Sequence, residues 1–200
     1  MNREIEFDAD PLVTLARWHA EARTQGAVEP DAMTLATATL DGRPSARIVL
    51  FKGIADGKIQ FVTNYGSRKG RELTDNPALA LVFFWVEIQR QVRVEGRAQP
   101  SSAVESDRYF ATRPRESQLG AWASEQSQVI ASRDELELRY ATVEQRFDGR
   151  AVERPPTWGL FGVIPETIEF WSSRPHRLHD RTRYRRLSAG APWERDLLCP

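Results

Sequence analysis

The chain has 200 residues, and its 28 lysines and arginines balance its 28 aspartates and glutamates. This balance argues against a generic polyanion-binding protein, so any basic cluster must be local and matched to a small anion. The longest apolar run, residues 78–86, is far shorter than the roughly twenty residues that a membrane helix needs.

The amino-terminal segment and the cysteine and histidine positions argue against further classes. Residues 1–10 are acidic and lack the basic-then-apolar layout of a signal peptide. Cys199 is the only cysteine, which excludes an internal disulfide and favours a reducing cytoplasm. The three histidines give no zinc-ligand spacing with it, so we expect no metal site.

The first third of the chain predicts one helix and three antiparallel strands. Asp8 or Asp10 can cap a helix that has Pro11 in its first turn and that ends near Gly26. Three segments then alternate apolar and polar residues, and turn sequences containing Asp-Gly separate them. These segments are residues 33–40, 45–52 and 58–64.

The remaining elements alternate between helices and strands. Ser102 and Glu105 form a capping box that opens a helix running to about Thr112. Further helical segments are predicted at 71–76, 120–126 and 133–147. Further strands are predicted at 78–86, 89–99, 160–165, 167–173, 182–187 and 193–198.

These elements predict a mainly β fold with helices (β+α), built on an antiparallel β-barrel or curled sheet of six or more strands. We expect one domain over residues 1–200, with a helical insertion around 101–148 and peripheral helices. The sequence carries no Gly-rich nucleotide-binding fingerprint.

The segment Tyr-Gly-Ser-Arg-Lys-Gly at 65–70 is a candidate anion site. Ser67 can cap the following helix, which leaves Arg68 and Lys69 in its first turn, where the helix dipole disfavours cations. Helix-start amides combined with two cations suit a phosphate. From this segment alone, a solvated turn remains the alternative.

Arg47 and Lys52 flank a four-residue apolar run and form a second candidate. Their offset of five places them on opposite faces of a regular strand. A shared site would need a bulge, a strand end or two separate anions. The alternative is an ordinary core strand whose long cationic ends reach solvent.

Tyr109, Arg113 and Ser117 recur at four-residue intervals, so one helical face could present all three to a single anion. Pro114 interrupts this face, but a break after Thr112 and a new helix from Pro114 would keep the three together. The alternative is a scattered set of surface polar residues.

Arg177, His179 and Arg181 point the same way if the chain there is extended. Two guanidiniums that flank an imidazole suit an anionic, planar, aromatic ligand. The alternative is a basic patch that binds RNA or no ligand, and the zero net charge makes RNA binding the weakest hypothesis. Taken alone, the neighbouring Trp171 is more typical of a core residue.

Six segments, taken in order, resemble the pyridoxine 5′-phosphate oxidase family, and the likeness runs from about residue 9 to the carboxyl end. They are RIVLFK, TNYGSRKGREL, RQVRVEG, YFATRPRESQLGAWASEQS, EFW and RLHDR. The resemblance implies a homodimeric split β-barrel that binds FMN between subunits. It also implies oxidation of pyridoxine or pyridoxamine 5′-phosphate to pyridoxal 5′-phosphate, with oxygen as electron acceptor.

The resemblance assigns roles to individual residues. It implies that FMN is held by Arg47, Ile48, Val49, Leu50, Lys52, Val62, Thr63, Arg68, Lys69, Gln91, Gln126, Ser127, Trp171 and Arg181. It implies that the substrate phosphate contacts Lys52, Tyr109, Arg113 and Ser117. Arg177 and His179 would flank the pyridine ring and are the expected catalytic residues. Arg47 and Lys52 would thus serve different phosphates.

Two departures from the family pattern and two rival functions accompany this prediction. Val62 stands where the family often has a tyrosine, and the short amino-terminal segment lacks the basic, tyrosine-bearing stretch that some members fold over the site. Phenazine-pathway flavin oxidases share the barrel, but the retained substrate-phosphate residues favour the vitamin B6 reaction. The other rival is a non-catalytic flavin or pyridoxal phosphate carrier. Neither nucleic acid nor a membrane is an expected partner.

Overall fold

A computed structural model of the protein describes residues 6–200. Residues 1–5, the first half of the acidic amino-terminal segment, lie outside this range. The described chain forms five α-helices: α1 (Pro11–Thr24), α2 (Arg68–Asp75), α3 (Ala103–Ala111), α4 (Arg115–Ala123) and α5 (Arg133–Arg146). It also forms nine strands: β1 (Ala32–Ala38), β2 (Pro44–Leu50), β3 (Ile54–Ala55), β4 (Lys58–Asn64), β5 (Ala78–Trp85), β6 (Arg90–Pro100), β7 (Trp158–Ser172), β8 (Asp180–Arg185) and β9 (Glu194–Leu197).

The strands build one antiparallel sheet in the order β2-β1-β5-β6-β7-β4-β3, with β8 paired to β7 and β9 paired to β8. The sheet curls back on itself, because the Lys52 amide just after β2 donates a hydrogen bond to the Gln60 carbonyl of β4 at 2.8 Å. The predicted antiparallel barrel with peripheral helices is confirmed.

The carboxyl-terminal half of the sheet differs from the prediction, because β7 is one strand of 15 residues rather than two short ones. Pro165 does not end the strand, since it lies opposite Gly96 at a shift in the β6–β7 register. Such irregular positions tolerate a proline. The first part of β7 pairs with β4 and the last part pairs with β8.

Two apolar clusters hold these elements in place. The larger fills the barrel and includes Trp18 of α1 and Phe83 of β5, both almost fully buried. The smaller consists of Phe110, Leu119, Phe147, Val152 and Trp158 and joins α3, α4 and α5 to the start of β7; we call it the helical cluster. These three helices lie between β6 and β7, in the region of the predicted insertion. The division of the chain into domains stays a prediction.

Local capping signals explain where several helices begin and end. Ser67 accepts a hydrogen bond from the Gly70 amide at 3.2 Å, so α2 begins at Arg68, three residues earlier than the segment predicted at 71–76. The Ser102–Glu105 capping box is present. The predicted break at Pro114 is confirmed, while the helix predicted over 120–126 is wrong beyond Ala123, where α4 ends.

Candidate functional site

A groove of about 550 Å³ opens where β2, β4 and the start of α2 meet. It is lined by Ser45, Ala46, Arg47, Ile48, Val49, Leu50, Lys52, Val62, Thr63, Arg68, Lys69, Gln126 and Ser127. The groove therefore collects most of the residues predicted to hold FMN. The other three, Gln91, Trp171 and Arg181, lie elsewhere on the sheet.

One end of the groove carries cations arranged around a buried carboxylate. The Arg68 Nε donates to Glu72 at 2.8 Å, and the Arg47 Nη2 lies 3.4 Å from the same carboxylate. Thr37 and Ser45 donate their hydroxyls to it as well. Burial by itself would raise the pKa of Glu72, but hydrogen bonds, first from Ser45 and Thr37 and then from Arg68, outweigh it and lower the pKa to about 2.

Lys69 forms a second polar contact deeper in the groove. Its Nζ donates to the Thr63 hydroxyl at 3.1 Å and to the Gln126 Oε1 at 2.8 Å. Burial, and then repulsion from Arg47, lower the pKa of Lys69 to about 8. At neutral pH Arg47, Arg68 and Lys69 therefore provide three cations near one carboxylate, and Lys52 adds a fourth cation to the groove lining.

The three residues outside the groove form a row on neighbouring strands. Gln91 of β6 is the register partner of Trp171 of β7, which is the register partner of Arg181 of β8. His179 packs its ring on Trp171, with ring centroids 4.7 Å apart. Arg181 donates to Glu169 at 2.8 Å. This part of the sheet thus presents a flat ring system beside a paired arginine.

The same face of the sheet is apolar toward β2. Phe84 is the register partner of Gln91, and strand pairing places Ile48 on this face too. Both side chains are exposed, Phe84 by 58% and Ile48 by 62%. Since Ile48 also lines the groove, the groove opens at the edge of an exposed apolar sheet face.

The expectation that Arg177 shares a face with His179 and Arg181 is wrong. Pro175–Arg177 form a 3-10 turn, in which His176 and Arg177 have φ of 60° and 63°. Two left-handed residues turn the chain out of the extended form that the alternation requires. His179 and Arg181 still meet Trp171, whereas Arg177 is exposed on the turn.

Two of the predicted substrate-phosphate residues, Tyr109 of α3 and Arg113 in the turn between α3 and α4, lie against Trp158. The Arg113 guanidinium lies 4.5 Å from the centre of the Trp158 ring, and Tyr109 stacks on the same ring at 6.3 Å. The buried Nη1 of Arg113 has no hydrogen-bond partner among residues 6–200. Burial lowers the pKa of Arg113. Ser117 follows one turn later on α4.

Among residues 6–200, no hydrogen bond joins Lys52 to Tyr109, Arg113 or Ser117. Lys52 lines the groove, and Val62 connects the two regions because it lines the groove and packs against the helical cluster. The groove and the Trp158 region therefore adjoin through Val62, the position at which the sequence departs from the family pattern.

Sequence reasoning missed Glu72 and Trp158. Glu72 follows Arg68 by four residues in one helix, a spacing typical of an ion pair, and this signal could have identified it. Trp158 follows a Pro-Pro-Thr turn and carries no comparable signal.

In the described part of the chain no group of three or more His, Cys, Asp or Glu side chains is placed to hold a metal ion. None of the helices within residues 6–200 has the length and apolar character of a membrane span.

Comparisons with known proteins agree with this geometry. Residues 19–147 match the model of the pyridoxamine 5′-phosphate oxidase family, and residues 158–200 match the pyridoxine 5′-phosphate oxidase C-terminal dimerisation region. A pyridoxine/pyridoxamine 5′-phosphate oxidase of Rubrobacter xylanophilus is 58% identical over 96% of this chain and 88% of its own length. One of Burkholderia ambifaria is 52% identical over 98% of this chain and 92% of its own.

Two solved structures share the architecture. PhzG from Burkholderia lata, in complex with tetrahydrophenazine-1-carboxylic acid, has a TM-score of 0.91 and 33% identity over the whole of both chains. A pyridoxamine 5′-phosphate oxidase-related, FMN-binding protein from Nostoc punctiforme has a TM-score of 0.74 at 15% identity, which shows the fold alone. It covers 99% of this chain and 100% of its own.

The barrel, the groove and the family match define an FMN-binding split-barrel flavoprotein, and the cofactor prediction is confirmed. More specifically, the chain belongs to the pyridoxine/pyridoxamine 5′-phosphate oxidase family and is an oxidoreductase. The groove fits FMN, because a flavin phosphate is an anion and the cations lie where the α2 amides begin.

Proposed function

We propose that the protein is an FMN-dependent oxidase that converts pyridoxine or pyridoxamine 5′-phosphate to pyridoxal 5′-phosphate, with oxygen as electron acceptor. The observation that carries the proposal is a second cation close to the groove. The Arg113 guanidinium lies on Trp158, beside Tyr109, and its buried Nη1 has no hydrogen-bond partner among the described residues. Two adjoining cationic sites suit one phosphorylated cofactor and one phosphorylated substrate.

In this proposal the groove binds FMN, with its phosphate at the start of α2 near Arg47 and Arg68. FMN supplies the acceptor for two electrons. The protein supplies position, since Lys69 and Gln126 are hydrogen-bonded to each other and can present a fixed polar surface to the ring system. Ile48, Val49 and Leu50 line the same groove, and their backbone would contact the flavin in this proposal.

The second protomer completes the site in this proposal. The chain carries a match to a dimerisation region, and its exposed apolar face begins at the groove edge with Ile48. A second copy that covers this face would bring its own Gln91, Trp171 and Arg181 toward the flavin. We therefore propose a homodimer with FMN at the subunit interface.

The substrate phosphate would accept hydrogen bonds from Arg113, Tyr109 and Ser117, with Lys52 reaching it from the groove. The His179 ring would lie against the pyridine, and Arg177 would add positive charge from its exposed turn. The His179 Nδ1 accepts a hydrogen bond from the Arg174 amide at 3.2 Å, so the neutral ring carries its proton on Nε2. This nitrogen can donate to a substrate oxygen or nitrogen.

The reaction predicts a defined set of products. Pyridoxine 5′-phosphate loses two hydrogens to become the aldehyde while oxygen becomes hydrogen peroxide. Pyridoxamine 5′-phosphate also consumes water and releases ammonia. The test is to mix the yellow protein with pyridoxine 5′-phosphate without oxygen, which should bleach the flavin, and then to admit oxygen and measure aldehyde and peroxide in equal amounts. A flavin that stays oxidised would indicate a carrier.

A phenazine-type flavin oxidase is the second candidate, because PhzG superposes over the whole chain with a TM-score of 0.91. The identity favours the first proposal, since it is 33% to PhzG and 50–58% to the relatives named pyridoxine/pyridoxamine 5′-phosphate oxidases. Parallel assays with pyridoxine 5′-phosphate and a reduced phenazine carboxylate discriminate the two. Faster turnover of the phenazine would favour the second candidate.

A further inference from the structure

Glu72 is a buried carboxylate to which the sequence assigned no role. Its side chain is 6% exposed, and it lies in α2 directly beneath the cationic end of the groove. Its Oε2 accepts hydrogen bonds from the Thr37 and Ser45 hydroxyls, and its Oε1 accepts one from Arg68. A carboxylate with this many donors stays ionised, in keeping with its lowered pKa.

The two arginines beside Glu72 use their donors differently. Arg47 directs its Nη1 to the Leu35 carbonyl and to Thr37, and its Nη2 to Ser45 and Glu72. Within residues 6–200 this arrangement leaves the Arg47 Nε for a ligand. Arg47 is therefore a fixed charge rather than a hydrogen-bonding fork.

Arg68 has the opposite arrangement. It commits only its Nε to Glu72 among the described residues, and its side chain is 59% exposed, so both terminal nitrogens face the groove or solvent. Because its Nε is paired with a buried carboxylate, the Arg68 guanidinium is held with Nη1 and Nη2 directed outward. These two nitrogens can make a bidentate contact to a phosphate.

The charges also balance. Arg47, Arg68 and Lys69 contribute three positive charges, and Glu72 contributes one negative charge, so the cluster is close to +2 near neutral pH. A phosphate monoester carries about −1.5 to −2 at pH 7. The net charge of the cluster thus matches a dianionic phosphate, and Glu72 offsets the mutual repulsion of the cations.

We propose that Glu72 is a positioning residue that orients Arg47 and Arg68 for the flavin phosphate and thereby sets the preference of the groove for FMN over unphosphorylated riboflavin. The inference rests on the proposed placement of the flavin phosphate at the start of α2. It goes beyond that placement because Glu72 itself would not touch the flavin.

Two physical roles of Glu72 predict opposite results on its removal. If Glu72 only neutralised part of the positive charge, Glu72→Gln would raise the net charge of the cluster to about +3 and strengthen phosphate binding. If Glu72 positions the arginines, the same change removes the ion pair that holds Arg68, loosens the set of contacts around Arg47 and weakens phosphate binding. Riboflavin lacks the phosphate, so its affinity should change little when only this end of the groove is disturbed.

The experiment measures dissociation constants of FMN and riboflavin for the flavin-free protein by quenching of flavin fluorescence. Glu72→Gln should weaken FMN binding by about tenfold or more and riboflavin binding by less than about twofold. Glu72→Asp, which keeps the charge, should restore part of the preference. An unchanged or stronger preference for FMN over riboflavin in Glu72→Gln would overturn the inference. An equal loss of affinity for both ligands would overturn it as well.

A second variant guards against a folding defect in Glu72→Gln. Thr37→Val is close in shape and removes one donor to Glu72, so it should lower the FMN preference in the same direction by a smaller factor. An unaltered preference in this variant, with Glu72→Gln unable to fold, would also reject the positioning role. A wild-type protein that binds FMN and riboflavin equally would instead reject the placement of the phosphate, and the inference with it.

Discussion

The groove and the Trp158 region hold their cations in different ways. At the start of α2, Arg47 and Arg68 are paired with the ionised Glu72. In the helical cluster, Arg113 lies on an indole ring, has a buried nitrogen without a hydrogen-bond partner in residues 6–200, and has its pKa lowered by burial. The guanidiniums of the first site are paired within the protein, whereas an anion at the proposed second site would supply a hydrogen bond that Arg113 lacks among the described residues.

This difference suits a cofactor that stays bound and a substrate that leaves after each turnover. A carboxylate keeps the guanidiniums oriented at all times, and an aromatic platform keeps Arg113 in place without satisfying its donors. Each site can be disturbed separately, which makes the comparison testable.

Trp158→Ala should give the largest effect, because it removes the platform of the second site. Trp158 is 6% exposed and packs against Phe110 and Arg113, so we expect a loss of ~3–5 kcal/mol in the free energy of unfolding. Urea denaturation measures it. Trp193, which also carries an arginine over its ring but is only partly buried, is the matched control. Equal losses for both variants would contradict the prediction.

Arg113→Met should raise the KM for pyridoxine 5′-phosphate by roughly 10- to 100-fold, since one charge-assisted contact is worth ~1.5–3 kcal/mol. FMN affinity should not change, and stability should change little, because among residues 6–200 the buried Arg113 Nη1 has no hydrogen bond to lose and methionine keeps apolar contact with Trp158. Steady-state kinetics and flavin titration test these outcomes. Arg108→Met, on the exposed side of α3, serves as control. A weaker FMN affinity in Arg113→Met would contradict the proposal that Arg113 belongs to a site separate from the flavin groove.

Gly70→Ala should disturb the first site through its backbone. A Cβ at Gly70 would lie 2.2 Å from the Tyr65 carbonyl oxygen and 2.7 Å from that of Asn64, so α2 would have to shift. We expect a loss of ~1–3 kcal/mol in stability together with weaker FMN binding. Gly120→Ala is the control, because a Cβ there meets nothing within 4 Å. A Gly70→Ala protein with the wild-type melting temperature would show that the Tyr65 and Asn64 carbonyls do not crowd this position.

Lys69 should make FMN binding depend on pH. Its pKa is lowered to about 8 by burial and then by Arg47, so the flavin-free groove loses this cation as the pH rises through 8, while the phosphate remains a dianion. FMN affinity should then fall by about tenfold from pH 7 to pH 9. Lys69→Arg should abolish the fall over that range; a fall that persists would assign it to another group.

The same pKa shift has an opposite consequence for the flavin-free protein. Between pH 8 and 10.5 the unfolded chain binds a proton at Lys69 that the folded chain has released. The contribution of this group to stability therefore increases with pH in that window. Thermal unfolding at pH 8 and pH 10 measures the direction against Lys69→Arg.

Local signals predicted much of the fold. The Ser102 capping box, the Pro114 break and the Asp-Gly turns each act within a few residues, and each is present in the structure. The continuity of β7 through Pro165 was missed, because it depends on the register with β6, where the partner of Pro165 is Gly96, 69 residues earlier in the chain. The turn at Arg177 was missed because a basic alternating sequence gives no sign of two left-handed residues.

The candidate site shows the same limit. Most residues predicted to hold FMN line one groove, because they belong to short motifs on β2, β4 and α2. The four-residue spacing from Arg68 could have indicated Glu72, but its contacts with Thr37 and Ser45, 35 and 27 residues away in sequence, exist only in the folded chain. Long-range polar contacts of this kind leave no periodic signal in one sequence. The individual roles of the site residues stay predictions.

The continuous strand β7 restricts how this chain can change in length. Its residues 158–163 are in register with β4 and its residues 167–172 are in register with β8. One residue added or deleted between these stretches would invert the side chains of one of them, and would turn Trp171 away from Gln91 and Arg181. Natural variation in chain length should therefore accumulate outside β7, and segment 186–193, between β8 and β9, is a better place for an insertion tag than the strand itself.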